Sequence, residues 1–221
     1  MKQILIYGGT GQAKMVKCIA DSMYRPFEKI IYHLIDETAT LNMPFDDIKG
    51  LIKLGPSAYE KMLKELPNEN HEIEFAIAIG NPHGKRRLEL TKLLYKDNFI
   101  PKNWIHTSAI IDESVKYGFG NQIHPAAIIN PQVKMGNSNI INTRALVEHG
   151  CELGSGVEIG PGAILCGQIK VMDYAWIGAG AVIKPNLKIG KNSIIGAGSV
   201  VTKDVPDNET VIGVPAKKML R

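Results

Sequence analysis

The sequence has no apolar run approaching the roughly 18 residues that a membrane-spanning helix needs. It has only three cysteines, Cys18, Cys151 and Cys166, with no C-x-x-C among them. A disulfide framework is therefore not expected, and three reduced thiols suit a cytoplasmic protein. It has little charge of either sign in excess: a net +4 over 221 residues, with no basic tail or stripe of the kind nucleic acid selects. The short cluster Lys85-Arg86-Arg87 reads as a solvated helix start, with contact to a phosphate as the lesser alternative. The second half has only three histidines, His106, His124 and His149, and lacks the third stacked histidine and close H-x4-H pair that a metal-dependent β-helix hydratase would use, so no metal site is expected. The N-terminal MKQILIYGGTGQ lacks the long apolar region and cleavage site of a signal peptide and reads as a strand entering a turn.

What the sequence does have is a period of six. From Ile105 to Val201 every sixth residue is a medium-to-large apolar side chain, and two residues before each lies a position favouring small ones, among them Ala127, Ala145, Cys151, Ala163, Ala181 and Ser199. Neither an amphipathic helix nor a half-buried strand has this period. A parallel β-helix of hexapeptides has it: three short strands and three corners make a coil, and residues eighteen apart stack. No long insertion interrupts the repeats. The tail Asp204–Arg221 leaves the rhythm and is expected to fold back over the last coil, while the first half covers the other end.

Residues 1–102 follow a different grammar, that of a Rossmann-like α/β domain with a parallel sheet. Strands are expected at Gln3–Tyr7, Ile30–Ile35 and Glu74–Ile79. Helices are expected from about Gln12 to Met23, over Ser57–Leu66 with Ser57 as N-cap, and over His83–Asp97. The left-handed parallel β-helix and its cap then occupy 103–221. Ligands of parallel sheets bind beyond the carboxyl ends of the strands. Three such ends are polar or glycine-rich: Gly8-Gly9-Thr10-Gly11-Gln12, Asp36-Glu37 and Gly80-Asn81. The first has Lys14 where the third glycine of G-x-G-x-x-G would stand and is not a P-loop either. Spacing leaves three readings open: a nucleotide-linked ligand without hydride chemistry, a nicotinamide dinucleotide, or a tight structural turn.

His149 lies in Val147-Glu148-His149-Gly150-Cys151, and a neutral imidazole suits a general base. Cys151 falls in the small-residue column and is expected to be structural. Taken together, YGGTGQAK, LIDE, IAIGNP, NTRALVEHGCELG, the hexapeptides and the closing GVPAKKM resemble the NeuD/PglD-type sugar acetyltransferases over essentially the whole chain.

The resemblance implies a homotrimer with acetyl-CoA in a groove between neighbouring β-helices and a nucleotide-sugar, of the UDP-4-amino-sugar type, on the N-terminal domain. It assigns His149 as the base, with Asn142 and Glu148 beside the reacting group. It assigns Gly8, Gly9, Thr10, Gly11, Gln12, Asp36, Glu37, Gly80 and Asn81 to the nucleotide-sugar, and Glu158, Gly178, Ala179, Gly196 and Ala197 to acetyl-CoA. Two positions depart from the family pattern: Gly150 stands where a carboxylate usually follows the base, and Gln12 stands where a histidine usually follows the loop glycine. The orienting partner of His149 is accordingly open between a backbone carbonyl, Glu148 and a neighbouring subunit. Direct contact with Glu148 is disfavoured, because successive strand residues point to opposite faces. The function implied is N-acetylation of a nucleotide-linked amino-sugar in glycan biosynthesis. The alternatives are O-acetylation of sialic acid or a related sugar, and a non-catalytic nucleotide-sugar-binding module.

Overall fold

In the computed structural model of the protein, the residues described are 2–8, 11–24, 29–38, 50–66 and 72–219. The chain opens with β1 (Lys2–Tyr7), α1 (Gly11–Met23), β2 (Ile30–Asp36), β3 (Ile52–Leu54), α2 (Ala58–Glu65), β4 (Ile73–Ile77), α3 (Gly84–Lys96) and β5 (Ile100–Pro101). The five strands form one parallel sheet in the order β3-β2-β1-β4-β5. Strand alternation sends Leu5, Tyr7, Phe75 and Ile77 to one side of the sheet. Ile4, Ile6, Leu34 and Ala76 go to the other, against Val16 and Ile19 of α1. Both sides are covered, which is why β1 reads as a continuous apolar run rather than an alternating one. The three-residue β3 had no sequence signal, being too short to show a period. Ser57 does not cap α2: at φ 62° it belongs to the preceding turn and its hydroxyl reaches no helix N–H, whereas a side-chain cap needs extended backbone there.

The repeats form a left-handed parallel β-helix with three faces. Face 1 stacks Trp104–Ile105, Gln122–Ile123, Ile140–Ile141, Glu158–Ile159, Trp176–Ile177 and Ile194–Ile195. Face 2 runs from Ile110–Ile111 to Val200–Val201, and face 3 from Lys116–Tyr117 to Lys188–Ile189. Register is eighteen throughout, so Ile129 pairs with Val147 and Val147 with Leu165. The sixth-residue column fills the interior, and the small column packs behind it with Ala127, Ala145, Cys151, Ala163 and Ala181 fully buried. From Gly120 to Gly198 each repeat turns through one left-handed residue, among them Ala126, Gln132, Arg144, Gln168, Asn186 and Asn192 with φ near 60°. The tail does fold back: Thr210–Ile212 adds parallel to Ile194–Ile195, and Lys217–Lys218 pairs antiparallel with it.

The α/β unit does not sit across the first coil. It lies along face 1, burying Trp104, Gln122, Ile140 and Glu158, and leaves Tyr117 of the first coil 40% exposed. The bonds fixing it there run from side chains to main chain: Trp104 Nε1 donates to the Phe75 carbonyl at 2.8 Å and Gln122 Nε2 to that of Ile77 at 2.7 Å. Arg87, expected in solvent, is fully buried at this seam. Its Nε donates to the Ser138 carbonyl at 2.7 Å, Nη1 to Ile79 at 2.8 Å and Nη2 to Gly156 at 3.0 Å. Burial lowers its pKa to about 10, and the nearby Glu158 carboxylate opposes the drop. The guanidinium therefore stays charged at neutral pH.

Candidate active site

The strand order reverses between β1 and β4, and the crevice expected at such a point is present. A cavity of about 410 Å³ opens there, lined by Gly8 after β1, Asp36 at the end of β2 with Glu37 and Thr38 after it, Ala78 to Asn81 after β4, and His83 and Arg86 at the start of α3. Asp36 accepts from the Thr38 amide at 2.8 Å and its hydroxyl at 2.7 Å. Tyr7 donates its phenol to Glu37 at 2.6 Å, and Arg86 approaches the same carboxylate at 3.8 Å. Burial first, and then Glu37, push the Tyr7 phenol pKa up, so it stays a donor. The cavity thus carries carboxylates on its β2 wall and cationic or imidazole groups on its α3 wall. Gly9 and Thr10 lie outside the described residues.

Gln12 does not line this cavity. It reaches across to face 1, where its Nε2 donates to Gln122 Oε1 at 2.9 Å and lies 3.2 Å from His124 Nε2. Gln122 has its own amide committed to the Ile77 carbonyl, so the network has one polarity. His124 must accept through Nε2 and carry its proton on Nδ1. Burial, and secondarily the charge of His106, lower the His124 pKa to about 4. Because the folded value lies below the unfolded one near 6.5, this neutral imidazole costs no stability above pH 6.5. As pH falls from 6.5 towards 4 the unfolded chain binds the extra proton, and up to about 3 kcal/mol is lost. Urea melts at fixed protein concentration should show that decline between pH 7 and 4.5. His124→Asn, which repeats the residue stacked next to it in Asn142, should flatten it.

Asn142 occupies the corner between faces 1 and 2 and donates through Nδ2 to Glu158 Oε1 at 3.2 Å. Glu158, expected with the acetyl-CoA positions, instead lies set back on face 1, 7% exposed, with Arg87 Nη1 at 3.7 Å. Higher along the Asn142 corner, Gly178-Ala179-Gly180 and Gly196-Ala197-Gly198 leave a strip almost without side chains. A Cβ added at Gly180 or Gly198 would meet nothing within 4 Å. The amides of Ala179 and Ala197 donate to no backbone carbonyl among the described residues. An open strip of unpaired amides fits the extended pantetheine arm of acetyl-CoA.

His149 stands elsewhere, on the corner between faces 2 and 3, with its side chain 61% exposed. The two corners are one side of the prism apart, roughly 15–20 Å at about 3.3 Å per extended residue. His149 Nδ1 lies 3.1 Å from Glu148 Oε2, and this bond lowers the carboxylate's pKa. Alternation argued against that contact, but the strand ends at Val147 and residues 148–150 turn the corner, where alternation no longer applies. The carboxylate missing at Gly150 is thus supplied from the other side of the histidine. Gly150 itself has φ +67°. The ring rests over Gly167, where a Cβ would come within 2.7 Å of Cε1 and 2.8 Å of Nε2.

A model of the bacterial transferase hexapeptide (six repeats) family matches residues 168–203. Among solved structures, the chain is similar to a His-to-Ala variant of GDP-perosamine N-acetyltransferase from Caulobacter crescentus in complex with CoA and GDP-perosamine. The identity is 31% over 100% of this chain and 98% of that one, with a TM-score of 0.84. The chain belongs to the hexapeptide-repeat sugar acetyltransferases. WeeI from Acinetobacter baumannii is 30% identical over 99% of this chain and 100% of its own, with a TM-score of 0.85. The acetyltransferase domain of PglB from Neisseria gonorrhoeae, in complex with acetyl coenzyme A, is 25% identical over 99% of both chains, with a TM-score of 0.84. No curated protein sequence gives a significant match.

Among the described residues of this acetyltransferase, no three His, Cys, Asp or Glu side chains gather where they could hold a metal ion. No helix among them is long and apolar enough to cross a membrane. The sequence offered Arg86 to a phosphate only as a lesser reading, and it had not singled out Tyr7 and His83 for the cavity, nor Gly167 under the imidazole. For Gly167 the signal was available, since it lies eighteen residues after His149.

Proposed function

We propose that the protein transfers the acetyl group of acetyl-CoA to the amine of a nucleotide-linked amino-sugar, as a cytoplasmic homotrimer whose sites are each shared by two copies. The observation that carries this reading is the outer surface of face 2. Its outward residues are Ile110, Ile128, Leu146, Ile164, Val182 and Val200, an unbroken aliphatic row, while face 3 presents Lys116, Lys134, Glu152, Lys170 and Lys188. Ile110 is 63% exposed in the single chain. An uncovered row of this kind marks an interface. Three copies with face 2 turned to a threefold axis bury it in a closed ring. That arrangement brings the two borders of face 2 together: the corner with Asn142 and the glycine strip meets the corner with His149 of the partner subunit. The separation of Asn142 from His149 within one chain is then what a shared site requires. The free thiols Cys18, Cys151 and Cys166 support a reducing compartment.

In this reading the cavity at the sheet edge holds the nucleotide and directs the sugar to the Asn142 corner. Acetyl-CoA, when bound along the glycine strip, supplies the activated acyl group. Glu148 accepts from His149 Nδ1–H and so leaves the Nε2 lone pair as general base for the amine proton. Cys151 takes no part: its side chain is buried and burial raises its thiol pKa to about 11, keeping it protonated. Acetyl-CoA turnover should be measured against UDP-, GDP- and dTDP-linked amino-sugars and free sialic acid. We expect turnover confined to nucleotide-linked amines; activity on sialic acid alone would overturn the reading.

A further inference from the structure

Glu158 carries a carboxylate oxygen that the fold does not satisfy. Its Oε1 accepts from Asn142, but Oε2 is buried and has no hydrogen-bond partner among the described residues. Arg87 screens it without satisfying it: the guanidinium donates to the carbonyls of Ser138, Ile79, Gly156 and Val157, and Nη1 stays 3.7 Å from the carboxylate, beyond hydrogen-bond reach. Burial raises the Glu158 pKa, which the Arg87 charge opposes. A buried acceptor left in this state is costly unless something else donates to it. Gly80 marks the side from which a donor would approach Oε2. A Cβ on Gly80 would lie 3.9 Å from it, and Gly80 lines the nucleotide cavity, so the carboxylate sits directly behind this bare stretch of the cavity wall.

We propose that Glu158 is a specificity-determining residue for the acceptor, its Oε2 accepting a hydrogen bond from the sugar hydroxyl next to the reacting amine. This rests on the acceptor being a nucleotide-linked amino-sugar, as proposed above. The hydroxyl is the partner rather than the amine for two reasons. Glu158 is set back on face 1, behind the Asn142 corner where the partner's His149 would meet the nucleophile. A carboxylate against the amine would also hold the proton that the base must remove. The same residue fixes the polarity of Asn142. Because the carboxylate only accepts, Nδ2 faces Glu158 and Oδ1 is left as an acceptor at the corner. Two acceptors in succession, Asn142 Oδ1 and Glu158 Oε2, select an amine with a neighbouring hydroxyl.

The test compares the wild-type protein, Glu158→Gln and Gly80→Ala in steady-state kinetics. The probes are GDP-, UDP- and dTDP-linked 4-amino-4,6-dideoxyhexoses and the 3-deoxy counterpart of whichever is turned over. The wild type should lose roughly 10–100-fold in kcat/KM on the deoxy sugar, as for a lost hydrogen bond to a charged group. Glu158→Gln should lose a similar factor on the hydroxylated sugar and little more on the deoxy one, with KM for acetyl-CoA unchanged. Gly80→Ala retains the carboxylate, has a backbone that admits Ala, and should raise the sugar KM and narrow the same discrimination. It decides the matter if Glu158→Gln does not fold. Equal discrimination by wild type and variants, or a loss that falls on acetyl-CoA, overturns this inference alone. Failure of the wild type to acetylate any nucleotide-linked amine overturns the proposed function and this inference with it.

Discussion

His149→Ala is expected to lower kcat by roughly 10²–10⁴-fold, the usual worth of a positioned general base. Acetyl-CoA binding should survive, since the strip proposed for it is backbone on a different corner of the prism. A gentler variant separates position from chemistry. Gly167→Ala keeps the imidazole but places a methyl where the ring now rests, 2.7 Å from Cε1. The displaced atoms belong to the end of an exposed side chain, so the melting temperature should hardly move. A misplacement approaching 1 Å should nevertheless cost about 10²-fold in turnover. Turnover of His149→Ala near the wild-type level at all pH values would remove His149 from the mechanism. An unchanged Gly167→Ala would show that the ring leaves its present position in the working enzyme.

The shared site predicts a larger effect, followed by a recovery. Leu146→Asp puts a carboxylate in the middle of the aliphatic row, and in a trimer three of them would be buried around one axis. The expected product is a monomer by light scattering, with folded β-helix and no measurable turnover. The stronger test uses two variants that are each inactive, His149→Ala and Asn142→Ala. Unfolded together and refolded as mixed trimers, they should regain about a quarter of wild-type activity, because one site in four pairs an intact corner with an intact base. Leu146→Asp with full activity as a monomer, or mixed trimers with no recovery, would place both halves of the site in one chain.

The repeat was legible because an interior column and a corner column each constrain the residue type at fixed spacing. The outward row of face 2 was present in the same letters, one residue before each interior position, but it emerges only when the sequence is folded by eighteen instead of six. Arg87 was not legible at all. Its partners are main-chain carbonyls of Ser138, Ile79 and Gly156, and a carbonyl leaves no mark on the sequence. Glu148 was discounted by a rule valid for strands, applied one residue past the end of one. The cavity lay where the strand ends predicted. Its α3 wall was only half legible: the basic cluster offered Arg86 to a phosphate as a lesser reading, but His83 follows a turn that looked like simple punctuation.

The stacking interval also limits how the gene can change length. Inserting or deleting six residues leaves the interior column intact and the coil still closes, yet every later residue passes to the next face. After an insertion the charged row beginning at Lys116 would continue as the aliphatic one, and His149 would leave the border that the proposed trimer shares. Only whole multiples of eighteen residues preserve interior, corners and assembly together. Natural length variation within the repeats should therefore come in units of one full coil, with smaller changes confined to the tail after Val201 and to loops of the α/β unit.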